Sequence, residues 1–385
     1  MVARPVEEAG RASTPLELLF DLVFVVAVGR AVSELAHGLT EGQAGRSLIS
    51  FAMVFFAIWW AWMNFTWFAS SYDVDDGPYR LAVMAQMFGV LILAGGLAKA
   101  FRDFDWTAPT LGYVVMRLAM IFQWVRAGRG DPPRRRTAYR YAIGIGVVQI
   151  GWVARLALDH TLAVAAISFA LLAVAEMAVP AWAERAKQTA WHPHHIVERY
   201  GLFTLILLGE LVAVAVAGVQ TQLDSTGLTP GLAAVSLGGL ALVFALWWLY
   251  FISPMADQLA RHRELAFPWG YGHVACFASL ALLGAGLEVS LMASDGSHLP
   301  ISGVAVGYLV SVPVAGFIIG LWGLEAWAWR SWRGWGVLAT TVGGLAAVPW
   351  LALSPLGSAG AVAACAAICV TLTISVSASS GRGPA

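Results

Sequence analysis

The chain has 385 residues and a mass of 41.0 kDa; 59% of its residues are hydrophobic and only 12% are charged. A soluble domain carries about 25% charge, so this composition excludes a pair of soluble domains. Twenty-three Lys and Arg cancel twenty-three Asp and Glu, so no net charge points to nucleic acid or to an acidic partner.

Residues 1–14 are polar, and the apolar stretch after them carries charges and no clear small-residue cleavage site, so a retained helix is expected there rather than a signal peptide. Twelve apolar stretches long enough to cross a bilayer then follow: 15–37, 48–68, 81–100, 108–125, 138–157, 161–182, 197–218, 231–252, 269–292, 301–322, 335–353 and 357–377. The fold expected is all-α, a polytopic transmembrane bundle of about 12 helices. Thr14-Pro15-Leu16-Glu17 opens the first helix as a capping box, with proline at its first position. The three cysteines (Cys276, Cys365, Cys369) lie in apolar stretches and form no disulfide framework or CxxC site.

If the N-terminus is cytoplasmic, 17 Lys and Arg fall in cytoplasmic segments and 4 on the opposite side. That asymmetry is a positive-inside bias, and it predicts an inner-membrane, multi-pass protein with both termini cytoplasmic. The arginine-rich segment 126–140 fits an anchor at the anionic inner leaflet.

The halves resemble each other in order. Leu18–Val23 matches Leu207–Val212, Phe56–Trp62 matches Phe244–Tyr250, and Leu91–Leu97 matches Ala281–Leu287 in pattern, at offsets of 188 to 190. The organisation expected is therefore a segment 1–14, a first six-helix repeat 15–182, a linker 183–196, a second repeat 197–377 and a tail 378–385. Six helices per half make the repeats parallel, about an axis along the membrane normal. The repeat pairs Asp21 with Glu210, two carboxylates inside apolar helices, where ionisable groups mark a cavity, a partner or a relay.

Three blocks resemble a known family. Leu16–Val25 (LELLFDLVFV), Tyr72–Asp76 followed by Arg80, and His194–Phe203 continuing to Leu208-Gly209-Glu210 are similar, in that order, to motifs of the bacterial low temperature requirement A family. Tyr200 stands where the family often has Phe, and Leu211 where a Ser is common. The resemblance implies an integral membrane protein and carries no settled activity or cofactor.

Four groups of residues could carry chemistry. Asp73, Asp75 and Asp76 could hold a divalent cation, or instead cap the third helix with Arg80 paired one turn on. His192, His194, His195 and Glu198 cluster before helix 7 but lack standard zinc spacing, so capping or proton handling suits them better. Glu17, Asp21, Glu198 and Arg199 share the cytoplasmic third of helices 1 and 7, where Arg199 can neutralise either acid. Glu210 shares its depth with Arg117, and Arg30 is the next candidate partner. The aromatic runs Trp59 through Trp67 and Trp247–Tyr250 read as interfacial belts and packing rather than a binding cage, and Glu176 and Glu288 as helix-end acids that snorkel to water.

Two readings follow. One is a transporter-like protein whose buried carboxylates handle protons, a cation or a polar substrate; the other is a membrane-embedded enzyme using the Asp/His/Glu cluster on a lipid-like substrate. The partners expected are the bilayer and a small substrate or ion, with no nucleic acid; a homo-oligomer is open, and no Walker motif, dinucleotide loop or nucleophile elbow names a cofactor or reaction.

Overall fold

The structure is a computed structural model that describes residues 1, 3–4, 11–158, 161–225, 227, 229–253, 255–294, 299–325, 332–354 and 357–380. The end of the tail at 381–385 lies outside them. Twelve long helices occur among the described residues: α1 (Pro15–Thr40), α2 (Ala44–Tyr72), α3 (Gly77–Arg102), α4 (Thr107–Gly130), α5 (Arg135–Ala154), α6 (Leu162–Glu184), α7 (Pro193–Ser225), α8 (Pro230–Phe251), α10 (Ala266–Ala293), α11 (Gly303–Glu325), α12 (Trp332–Ala347) and α13 (Gly357–Ser380). A short helix α9 (Met255–Arg261), not foreseen in the sequence, precedes α10. No described residue is in a strand.

Each expected stretch is a helix, and most helices outrun their apolar run because polar caps extend them. Asp76 caps α3 by accepting the Tyr79 amide at 2.9 Å. Ten of the spans are long and apolar enough to cross a membrane. The other two long helices, α1 and α5, carry more polar side chains, of which Glu17 and Asp21 of α1 and Gln149 of α5 enter the clusters described below.

The described residues form two compact units, Met1–Glu34 with Gly45–Leu202, and Leu35–Ala44 with Phe203–Ala385. In the first unit, α3 and α4 meet at two glycines. A Cβ on Gly89 would lie 2.6 Å from the Gly112 carbonyl, and one on Gly112 would lie 2.4 Å from the Gly89 carbonyl. Lipid tails are as apolar as leucine, so membrane helices associate through such close approach and polar contacts rather than apolar burial. The outer faces are correspondingly greasy: Ile143, Val147 and Ile150 of α5 and Ile167, Leu171 and Val174 of α6 are all exposed, at helical spacing. The polar side chains point inward instead.

In the second unit, Gly286 lets α10 approach α11, since a Cβ there would lie 2.1 Å from the Leu309 carbonyl. Gly238 of α8 packs on Val362 and Ala363 of α13 in the same way. His273 is fully buried on α10, bonded to Tyr250 at 3.2 Å and to the Trp269 carbonyl at 2.8 Å.

Candidate functional site

The capping box that opens α1 is formed. The Thr14 amide donates to Glu17 Oε2 at 2.8 Å, and the Glu17 amide donates to Thr14 Oγ1 at 3.3 Å. Glu17 and Asp21 are four residues apart, so they share one face of α1. His195 and Arg199 share a face of α7 by the same spacing. Arg199 reaches both acids. Its Nη1 lies 2.8 Å from Glu17 Oε1, its Nη2 donates to Asp21 Oδ1 at 2.6 Å and its Nε to Asp21 Oδ2 at 3.2 Å. The grip on Asp21 is bidentate, the strong form of a guanidinium–carboxylate contact. Trp62 adds an indole N–H to Asp21 Oδ1 at 2.7 Å, and His195 Nε2 lies 3.1 Å from Glu17 Oε1.

All four ionisable groups are at most 1% exposed. With the imidazole neutral, two carboxylates and one guanidinium give these four groups a formal charge of −1; the buried Arg11 and Asp73, of opposite charge, stand within electrostatic reach of His195 and Glu17 respectively. Buried charge is expensive to leave unbalanced, and one proton, on the imidazole or a carboxyl, or one cation would bring these four groups to neutrality. His195 Nδ1 and the buried Tyr79 hydroxyl, the latter within electrostatic reach of Glu17 and Arg199, have no hydrogen-bond partner among the described residues.

The acidic connection between α2 and α3 borders this cluster, but its carboxylates diverge. Asp75 forms a bidentate pair with Arg80 at 2.7 and 2.7 Å. Asp76 caps α3 and pairs with Arg126. These arginine hydrogen bonds hold both carboxyls below their usual range. Asp73 is buried instead, 3.8 Å from Arg4. Burial, reinforced by the neighbouring Glu17 charge and only partly offset by Arg11 and Arg4, pushes its carboxyl up to about 6. Arg11 caps the end of α2 through the carbonyls of Ser70 and Ala69. The structure thus favours capping and pairing over a cation site for these three aspartates. No group of three or more His, Cys, Asp or Glu among the described residues is arranged to hold a metal.

A second buried cluster lies in the same unit, around Glu176 of α6. Glu176 accepts from Trp60 of α2 at 3.0 Å, from Tyr113 of α4 at 3.0 Å, and from Gln149 and Trp152 of α5 at 3.1 Å each. Arg117 of α4 lies 3.6 Å from its Oε2 and donates to the Tyr113 hydroxyl. Arg117 and Glu176 are each 1% exposed.

Several sequence expectations are corrected here. The pairing expected of Glu210 with Arg117 or Arg30 is replaced, because Arg117 is taken by Glu176 and Arg30 by Glu34 at 2.7 Å. Glu210 is half-buried on α7, within electrostatic reach of Glu288 of α10. Glu176 does not snorkel: α6 continues eight residues past it, about 12 Å at 1.5 Å per residue, too far for a glutamate to reach water. Trp59, Trp60 and Trp62 are buried at no more than 1% exposure, so they serve packing and not an interfacial belt, whereas Trp247 and Trp248 are half exposed. His194 and Glu198 are exposed on α7, apart from the buried His195 and Arg199; Glu198 accepts the Ser13 amide at 3.1 Å. Glu176 and Gln149 were the residues missed. Their signal was available: two long polar side chains deep in otherwise apolar helices.

Comparison with known proteins places these clusters in a family. Residues 12–374 match the family model described as bacterial low temperature requirement A protein. An uncharacterized protein of Rhizobium meliloti (strain 1021) is 26% identical over 295 residues, covering 73% of this chain and 70% of its own length. No solved structure matches. With nearly the whole chain matched, and with Glu17, Asp21, His195 and Arg199 all inside the matched region, the protein belongs to the bacterial low temperature requirement A family of integral membrane proteins.

Proposed function

We propose that the protein is a transporter-like inner-membrane protein in which the Glu17–Asp21–Arg199–His195 cluster binds and releases a proton or a cation. The observation that carries this reading is the charge deficit: two buried carboxylates share one buried guanidinium, with an imidazole at 3.1 Å. A site that needs one more positive charge has two states of different charge, and that is the minimum a coupled transporter requires. Its place at the start of α1 and α7 is the cytoplasmic side by the positive-inside count. The two six-helix repeats belong to this proposal. In support, the matched blocks Leu91–Leu97 and 281–287 each place a glycine, Gly96 and Gly286, against the following long helix.

The enzyme reading asked Asp73, Asp75, Asp76 and His194 or His195 to converge. Asp75 and Asp76 turn to separate arginines and His194 to the surface, so the transporter reading is the better supported. The test is pH-titrated infrared difference spectroscopy on the reconstituted protein, beside proton flux into vesicles carrying an internal pH dye. A titrating carboxyl or imidazolium band that Glu17→Gln, Asp21→Asn or His195→Asn removes supports the proposal. A band unchanged by all three, or conversion of an added lipid without any gradient, overturns it.

A further inference from the structure

At the end of the first unit away from the capping box, a partly open pocket with an inner volume of about 30 Å³ is lined by α2, α3, α4, α5 and α6 and by the segments before α4 and after α5. That is room for about two waters or one monatomic ion. Its side-chain polar groups are almost all donors. The Trp106 indole N–H is buried and has no hydrogen-bond partner among the described residues. Thr110 contributes a hydroxyl that takes part in no side-chain hydrogen bond among them, and the buried Arg155 a guanidinium. Arg155 donates through Nε to Ser168 Oγ at 3.1 Å and through Nη2 to the Ala165 carbonyl at 3.0 Å, and it pairs with no carboxylate among the described residues. Its guanidinium stands 5.7 Å from the Trp106 ring centroid and 5.8 Å from that of Phe169, held between the two aromatic side chains.

The neighbouring polar groups are already in use. Tyr113 and Trp152 line the cavity but both donate to Glu176, and Arg117 fills the Tyr113 oxygen. Glu176 matches Arg117, which leaves the Arg155 charge uncompensated among the described residues. Asp105, beside Trp106 in the chain, is half-buried and accepts the Thr107 amide at 2.9 Å. Asp159 lies outside the described residues. Water confined among donors can accept but has little to donate to, whereas an anion uses every donor and cancels the charge.

We infer that this cavity is a binding site for one small monovalent anion of halide size, held by Arg155, Trp106 and Thr110. It is separate from the proton or cation site proposed above and has the opposite charge requirement. The small inner volume suits chloride or bromide.

The experiment compares thermal unfolding of the purified protein in sodium chloride, sodium bromide and sodium gluconate at constant ionic strength. Chloride and bromide should raise the unfolding temperature saturably, and gluconate should not. Trp106→Phe keeps the ring and removes only the N–H. It and Arg155→Gln should each raise the half-saturating halide concentration about tenfold or more, as expected when a hydrogen bond to a charged group is lost. Because Arg155→Gln could simply fail to fold, Trp106→Phe and the anomalous signal of bromide in crystals stand beside it. Equal unfolding in halide and gluconate, an unchanged halide response in folded Trp106→Phe, or a cavity holding water in bromide-grown crystals would each overturn the inference.

Discussion

Replacing Arg199 by methionine is the most informative single perturbation of the protein. It leaves Glu17 and Asp21 buried with two negative charges and no guanidinium, and removes three contacts of 2.6 to 3.2 Å. Breaking one side of a buried pair typically costs about 3–5 kcal/mol, and a second stranded carboxylate places this variant at the upper end. Glu17→Gln does the reverse. The new side chain still accepts from the Thr14 amide and still meets His195, while the remaining Arg199–Asp21 pair is neutral without any added proton. Its loss should stay within about 1 kcal/mol. Asp21→Asn lies between, because the bidentate contact and the Trp62 bond both weaken, at about 2–3 kcal/mol. The triple replacement Glu17→Gln, Asp21→Asn, Arg199→Met carries no net charge and should recover most of the deficit of Arg199→Met. Denaturing-detergent titration of purified variants in mixed micelles, followed by circular dichroism, gives the order. A Glu17→Gln loss as large as that of Arg199→Met would refute the charge-deficit reasoning.

Asp73, pushed up to about 6 from an ordinary 3.8, contributes stability that is fully present below about pH 4 and lost as pH rises through 6. Asp73→Asn should abolish that slope and stabilise the protein at neutral pH by on the order of 2–3 kcal/mol, which unfolding curves across pH 4 to 8 would check. Arg117→Met and Glu176→Gln should each lower folded yield strongly, by about 3–5 kcal/mol for a broken buried pair, while the double variant is milder than their sum; additivity would refute the pairing. Reporter fusions after residues 135, 190 and 262 should read cytoplasmic and one after 225 external, and an external signal at 135 would reverse the side assigned to the α1 cluster.

The helices were legible because a bilayer imposes one length and one composition on every span, and the stretches at 15–37 and 138–157 stood out despite their charges. The α1–α7 cluster was legible in part. Pairs four apart, Glu17 with Asp21 and His195 with Arg199, announce shared faces, and the capping box fixed where α1 begins. What depth could not supply was azimuth. Arg117 and Glu210 share a depth, but so do Arg117 and Glu176, and only the rotation of α4 and α6 chooses between them. The tryptophans of α2 were misread for a related reason. An aromatic run in a membrane helix looks the same whether its N–H groups meet headgroups or buried carboxylates, until partners from distant helices are in place.

Trp60 and Trp62 sit two residues apart on α2, about 200° around the helix, and donate to different carboxylates, Glu176 of α6 and Asp21 of α1. An otherwise smooth apolar helix in lipid has almost nothing to fix its rotational setting, because one greasy face serves as well as another. Two indole pins on opposite sides leave α2 a single orientation about its own axis. Turning by one residue, about 100°, would unseat both hydrogen bonds at once. Any movement of α2 that preserves the two bonds must therefore be a rigid shift shared with α1 and α6, and an insertion or deletion between Trp60 and Trp62 would be tolerated far less than its apolar surroundings suggest.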